Sequence, residues 1–248
     1  MSQSVLITGA GSGIGFAVAV HLARQGMRVY GSVRTTDAER RLLESGAGIT
    51  PIRLDVTDAE SVAAARDKIG GELAGEGLAT LVNNSGIALP APLEMAPLDG
   101  VRAELETNAL GALRVTRGFL PLLKKASGSV FFLGSPLSTK PRALCGGYAA
   151  SKAALRSIAD TLRLELTAEG IGVCHVEADK IATPLWSKVS GELDHLPDSG
   201  AYGSAVSGAK RLIAAAESGE GFAQPEIVAQ AIWEAMNADP LPSEVRVP

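Results

Sequence analysis

Short, almost wholly apolar runs alternate with longer amphipathic stretches along most of the chain. Val5 to Ile7, Met27 to Val33, Ile49 to Leu54, Leu78 to Val82, Ser129 to Leu133 and Ile171 to Val176 are strand-length and apolar on both faces, as buried parallel strands are. Ser243 to Val247 predicts a short seventh strand. Between these runs the apolar positions recur at helical spacing: Ala17, Val18 and Leu22, then Val62, Ala65, Ile69 and Leu73, and later Leu155, Ile158, Ala159, Leu162 and Leu166. A longer stripe runs through Val101, Leu105, Asn108, Ala112, Val115, Phe119 and Leu122, and a last one starts at Pro225. Thr36-Asp37-Ala38-Glu39 and Thr57-Asp58-Ala59-Glu60 have the form of capping boxes, so a helix is expected to start at each. Strand and helix in regular alternation predict an α/β fold, and the regularity favours one domain over residues 1–248. Residues 184–221 interrupt it: they are polar and glycine-rich with one helical patch around Ala209 to Ala216, and are expected to form a mobile substrate lid.

The chemistry-bearing residues fall where strands end. After the first strand comes Gly9-Ala10-Gly11-Ser12-Gly13-Ile14-Gly15, followed at once by a helix. Glycines admit an anion close to backbone N–H groups, and the helix N-terminus favours its charge, so this is a phosphate-binding turn. Its spacing is Gly9, Gly13, Gly15, not the Gly-x-Gly-x-x-Gly of the commonest dinucleotide fingerprint. At the end of the second strand an acid would hold a ribose 2′-hydroxyl and a cation a 2′-phosphate. Val33-Arg34 stands there, which favours NADP(H), while Asp37 close by leaves NAD(H) possible. Asp55-Val56 ends the third strand, where the aspartate suits either an adenine contact or a simple turn. Asn83-Asn84-Ser85-Gly86 ends the fourth, and two amides there can tie off the sheet or border a cofactor crevice. Ser135 ends the fifth, at the sheet edge where open α/β folds bind ligands.

Tyr148 and Lys152, four residues apart on a predicted helix, share one face. An ammonium there favours tyrosinate and is expected to draw the phenol below its ordinary value, toward proton exchange near neutral pH. Asn108 takes an apolar slot in its stripe and needs buried partners, main-chain groups or water. His175, inside an apolar strand, is expected to be a satisfied core histidine, and His21 and His195 have no recognisable partners. Cys145 and Cys174 lack disulfide or metal spacing, so no metal is expected. The net charge of -4 with scattered Lys and Arg offers no nucleic-acid stripe. No apolar run reaches the length of a membrane span, and no charged-then-apolar leader opens the chain, so a cytoplasmic protein is expected.

Taken in order, the glycine loop, the Asn-Asn turn, Asn108, Ser135 and Tyr148-x-x-x-Lys152 resemble the short-chain dehydrogenase/reductase family, closely over residues 4–185. The 13-residue step from Ser135 to Tyr148 matches as well. The resemblance implies a single doubly wound (Rossmann-type) domain with a mainly parallel seven-stranded sheet and helices on both faces. It implies Tyr148 as general acid or base, with Lys152 lowering its pKa and bonding the nicotinamide ribose. Ser135 would hold the substrate oxygen, and Asn108 would support a proton relay through water. For the cofactor it implies Gly9, Ser12, Gly13, Ile14 and Gly15 at the pyrophosphate, Arg34 at the 2′ position, Asp55 and Val56 at the adenine, Asn83 on the ribose side and Thr183 at the phosphate or carboxamide. Three departures stand out. Ser85 replaces an alanine, Pro136 follows the serine, and Ala178-Asp179 replaces a Pro-Gly pair beside the nicotinamide, bringing in a Cβ and a negative charge. The implied activity is hydride transfer between NADP(H) and an apolar alcohol or carbonyl, with a leaning toward the hydroxysteroid and retinol dehydrogenase branch and a homodimer or homotetramer. The alternative is a cofactor-binding sensor or interaction protein of the same fold with little catalysis.

Overall fold

The computed structural model describes residues 3–196 and 199–248. Seven strands form one sheet: β1 (Ser4–Ile7), β2 (Arg28–Val33), β3 (Thr50–Arg53), β4 (Thr80–Asn83), β5 (Ser129–Gly134), β6 (Gly172–Ala178) and β7 (Glu244–Val247). Their order is β3-β2-β1-β4-β5-β6-β7, and every neighbouring pair is parallel. The connections are helices: α1 (Gly13–Arg24), α2 (Thr36–Glu44), α3 (Ala59–Glu72), α4 (Leu98–Leu105), α5 (Gly111–Ala126), α6 (Gly146–Leu166), α7 (Leu185–Leu193), α8 (Gly203–Ser218) and α9 (Glu226–Met236).

Side chains alternate across a strand, so each strand feeds two cores. Leu6, Tyr30, Leu81 and Phe132 pack on one face with Val62, Ile69, Val115, Phe119, Leu155 and Leu162 of α3, α5 and α6. Val5, Ile7, Val29 and Phe131 pack on the other with Val18, Leu22, Val228 and Ile232 of α1 and α9. Adjacent Phe131 and Phe132 thus belong to different cores, and each buried ring contributes about 2 kcal/mol by area. The strand order turns back on itself at β1, which has β2 on one side and β4 on the other. The loops after these strands therefore diverge and leave a crevice at their carboxyl ends.

Several local features differ from the sequence reading. Helix α2 is capped by Thr35, whose Oγ1 accepts from Ala38 N at 3.2 Å, and α3 by Asp58, which accepts from Glu60 N at 2.9 Å. Each cap lies one residue from the expected threonine, because a neighbouring short polar side chain reaches the same N–H groups. The stripe from Val101 to Leu122 is one continuous helical path interrupted by a π turn, Glu106–Leu110, around Asn108. Residues 184–221 contain two helices instead of one patch; residues 197 and 198 of that expected lid lie outside the described residues. Leu193 of α7 and Val206 and Ile213 of α8 form their own small core with Leu144. Among the described residues no helix is long and apolar enough to cross a membrane, and no three His, Cys, Asp or Glu side chains converge on a possible metal site.

Candidate active site

A cleft of about 670 Å³ lies over the carboxyl ends of the strands. One end is walled by the turn after β1, with Gly9, Ser12, Gly13 and Ile14 on its surface. Gly9 (φ +65°) and Gly13 (φ +55°) hold left-handed conformations, and a Cβ on Gly13 would lie 3.2 Å from Thr183, closing the gap between the turn and the loop after β6. With the free N–H groups at the start of α1, this cradle fits a pyrophosphate. Gly15 is not on the cleft surface. Its Cβ would stand 2.4 Å from both Gly9 O and Asn84 Nδ2, so its smallness serves helix packing behind the turn.

Beyond that turn the cleft meets β2 and β3. Arg34, Asp55 and Val56 line it, as expected. Asp55 accepts from Thr57 N at 2.9 Å and Thr57 Oγ1 at 2.7 Å, and Arg34 Nη1 stands 3.5 Å from its other oxygen. Burial raises the Asp55 carboxyl, but the Thr57 hydrogen bonds and the Arg34 cation outweigh it and hold the group below its ordinary value. Asp55 is thus both turn residue and cleft wall. Asp37 is 82% exposed, pairs with Arg40 at 3.2 Å and is not on the cleft surface. A second cation is, one that the sequence reading missed: Arg41 lines the cleft and donates from Nη1 to Gly11 O at 2.6 Å. Its signal was available, since Ala38 and Arg41 share a face of α2 three residues apart.

The two amides at the end of β4 point to different places. Asn83 is buried and faces away from the cleft, donating from Nδ2 to Thr116 Oγ1 of α5 at 2.9 Å. It is the last strand residue, so its side chain follows the alternation of β4 toward the helix face. Asn84 is the amide that borders the cleft, donating from Nδ2 to Thr8 O at 2.8 Å and Gly9 O at 3.1 Å.

Ser135, Tyr148 and Lys152 meet on the wall formed by β5 and α6. Ser135 leaves β5 directly, and its Oγ accepts from Leu137 N at 3.3 Å in the 3-10 turn Pro136–Ser138. Tyr148 stands in the first turn of α6, and its hydroxyl is close enough to Ser135 to feel it electrostatically. Lys152, 5% exposed, donates to Leu133 O at 2.7 Å, and its Nζ lies 5.6 Å from the Tyr148 ring centroid. The cation therefore sits by the ring and a β5 carbonyl. Burial pushes the phenol up to about 12, opposite to the expected downward shift and only partly offset by nearby Ser135, and burial lowers Lys152 to about 8. Asn108 is fully buried and off the cleft surface: Oδ1 accepts from Ile87 N at 2.8 Å, and Nδ2 donates to Ile87 O and Ser151 Oγ, both at 2.9 Å. Its two hydrogen bonds to Ile87 clamp the chain after β4.

The loop after β6 carries Ala178, Asp179, Lys180 and Thr183 to the cleft. Asp179 N donates to Val247 O at 3.1 Å, so the Ala178-Asp179 pair prolongs main-chain pairing with β7 where the resemblance expects Pro-Gly. Asp179 has no ion pair among the described residues. His175 is buried as expected but unsatisfied: neither ring nitrogen has a hydrogen-bond partner among the described residues, and Nδ1 is 3.8 Å from Glu244 Oε1. Burial and then the Arg156 cation keep it neutral, with a pKa of about 4. Cys145 borders the cleft and Cys174 is buried in the core.

Residues 3–194 match the family model described as short chain dehydrogenase. The chain is similar to an NADPH-dependent 3-dehydrocapnine reductase of Ornithobacterium rhinotracheale, with 31% identity over 94% of this chain and 83% of that protein. It is 34% identical to human 17-beta-hydroxysteroid dehydrogenase type 1, over 78% of this chain and 61% of the relative. A solved short-chain dehydrogenase from Streptomyces avermitilis superposes with a TM-score of 0.85 and 26% identity, covering 100% of this chain and 88% of that one. Other curated relatives are longer, and the chain spans 64%, 54% and 55% of three of them. With the family match, the parallel sheet and the Ser135, Tyr148 and Lys152 wall in agreement, this chain belongs to the short-chain dehydrogenase family.

Proposed function

We propose that the protein is an oxidoreductase that moves hydride between NADP(H) and an apolar carbonyl or alcohol. The observation that carries this reading is that Ser135, Tyr148 and Lys152 share one wall of the same cleft whose far end is the glycine turn. When bound, the nicotinamide supplies hydride to the carbonyl carbon or accepts it from the alcohol carbon. The chain supplies position and the proton. In reduction Ser135 Oγ and the Tyr148 hydroxyl converge on the substrate oxygen, and Tyr148 gives that oxygen its proton as negative charge develops there. Lys152 holds positive charge beside the ring and favours the tyrosinate that remains, and in oxidation the same phenolate takes the proton back. Asn108 contributes by fixing Ile87, one wall of the substrate end.

Arg34 and Arg41 on the cleft, with Asp37 turned to Arg40, support NADP(H) over NAD(H). A 2′-phosphate adds two negative charges that guanidinium groups match in geometry as well as charge. Ile87, Leu89, Leu137, Leu185, Trp186 and Val189 support an apolar substrate, and α7 with α8 forms the substrate lid. Exposed Leu110 of the π turn and Leu164 of α6 support self-association through that helix layer. The test is NADPH oxidation against a panel of aldehydes, ketones and steroids, with NADH as comparison. Turnover with NADPH is expected. NADPH binding without oxidation of any carbonyl would favour the sensor reading, and no binding of either nucleotide would end both.

A further inference from the structure

Glu104 is a carboxylic acid with almost no access to water, 1% exposed, on an element that touches the cleft only indirectly. It shares a helix face with Val101 and Asn108, three and four residues away, so it holds a second polar slot in an otherwise apolar stripe. Its Oε1 accepts from Leu89 N at 2.8 Å. That bond belongs to a series. Alternate N–H groups of the chain after β4 are held in succession by Asn108 Oδ1 at Ile87, by Glu104 Oε1 at Leu89, and by Leu144 O at Ala91, the last at 2.9 Å. Two of these three acceptors are side chains one helical turn apart, so the segment is pinned as an edge strand would be, without a strand beside it.

The other carboxyl oxygen faces α6. A Cβ on Gly147 would lie 2.1 Å from Glu104 Oε2, so the carboxyl rests directly against the residue before Tyr148. A Cβ on Gly146 would meet the Leu93 side chain at 2.5 Å, so the same loop and the same helix turn touch again one step on. Burying a carboxyl with one main-chain donor is less favourable than burying a leucine of similar size. Packing alone does not call for it.

We propose that Glu104 is a positioning residue that sets the separation between the Leu89 wall of the cleft and the Tyr148 phenol, and thereby the size of carbonyl substrate admitted. This rests on the carbonyl oxidoreductase reading above. Remote misplacement of a wall by about 1 Å is enough to cost up to about a hundredfold in productive binding. Glu104 touches neither substrate nor cofactor space, so its effect falls on substrate fit and not on nucleotide binding.

Two variants test it, Glu104→Met, which keeps length and loses the acceptor, and Glu104→Gln, which keeps an oxygen acceptor. NADPH-dependent reduction of compact benzaldehyde and extended 2-naphthaldehyde is measured, with NADPH affinity by fluorescence titration and amide exchange over residues 86–93. The expected result for Glu104→Met is a change of about tenfold or more in the ratio of kcat/KM between the two aldehydes, carried by KM, with NADPH affinity kept. Exchange over 86–93 rises, and Glu104→Gln recovers most of both effects. An unchanged aldehyde ratio in Glu104→Met overturns the proposal, as does a fall in kcat common to both aldehydes with KM unmoved. Failure of both variants to fold also overturns it, by showing that the side chain holds the domain and not the cleft. If the wild-type protein reduces neither aldehyde nor any carbonyl of the wider panel, the functional reading fails, and the exchange data decide the clamp: a rise confined to 86–93 supports it and no rise refutes it.

Discussion

Lys152 Nζ donates to the main-chain oxygen of Leu133 at 2.7 Å while the Tyr148 ring centroid lies 5.6 Å away. The ammonium is thus anchored to β5, two residues before Ser135, and carries its charge where little water reaches it. The penalty is read as a lysine pKa of about 8, and it makes stability depend on pH in a definite direction.

In the unfolded chain Lys152 returns to 10.5, so between about pH 8 and 10.5 the unfolded state binds more protons than the folded one. Stability from this group therefore rises with pH across that window, by roughly 3 kcal/mol in all. Below pH 8 the burial penalty is present in full. Lys152→Met has no such term, so the stability difference between wild type and variant should move about 2 kcal/mol in favour of wild type from pH 7.5 to 9.5. Urea midpoints at the two pH values measure it. Tyr148 does not obscure the result, since its raised pKa lowers stability only above about pH 10. A constant difference would place the ammonium in contact with solvent.

Removing the phenol oxygen alone separates chemistry from binding. Tyr148→Phe keeps the ring against Lys152 and loses the hydroxyl on the cleft wall. Carbonyl reduction should fall by at least about a thousandfold, while NADPH affinity stays within about threefold, because the lost group acts on the developing charge. Steady-state rates with fluorescence titration of NADPH check this, and equal turnover by the variant would remove Tyr148 from the mechanism.

Arg41 gives a test of nucleotide choice that does not depend on catalysis. It is exposed, lies on the cleft and is steered by Gly11 O at 2.6 Å. Arg41→Ala should weaken NADPH by about ten- to thirtyfold and NADH by less than about threefold, the value of one charge-assisted contact to phosphate. Equal weakening of both nucleotides would mean that Arg41 only braces the glycine turn.

The sheet, the glycine turn and the Ser135, Tyr148 and Lys152 wall were legible because each rests on a local rule: apolar runs of strand length, glycine before a helix, and a spacing of four. What the sequence hid are choices between neighbours and effects of burial. Asn83 and Asn84 are chemically the same, and only the strand's last alternation sends one to Thr116 and the other to the cleft. Gly15 reads as a ligand-facing glycine but is needed by Gly9 O and Asn84. Helices α7 and α8 were obscured because their apolar residues pack on Leu144, far away in sequence, so neither shows a full stripe of its own. Glu104 gave no sign, since a glutamate in a helix is ordinarily a solvated one. For Tyr148 the spacing was right, but the direction of the phenol's shift is set first by burial, which a spacing of four cannot reveal.

His175 supplies the last test, through its neighbour on β5. Gly134 stands one residue before Ser135, and a Cβ there would lie 2.1 Å from His175 Nε2 and 2.4 Å from Cε1. The conflict is with a ring that is 2% exposed and has no hydrogen bond among the described residues, so the ring must move or the strand must. Gly134→Ala should therefore destabilise the protein by about 1 to 3 kcal/mol through overpacking, and should depress activity by shifting Ser135. His175→Ala opens space at that point and removes two unpaired buried nitrogens, which offsets part of its cavity cost. Combined, the two changes should be less damaging than their sum by about 1 kcal/mol or more, with activity recovering alongside stability. Thermal or urea unfolding of the four proteins in the cycle gives the coupling. Simple additivity would show that the strand yields without help from the ring, and that His175 has no part in holding Ser135 at the cleft.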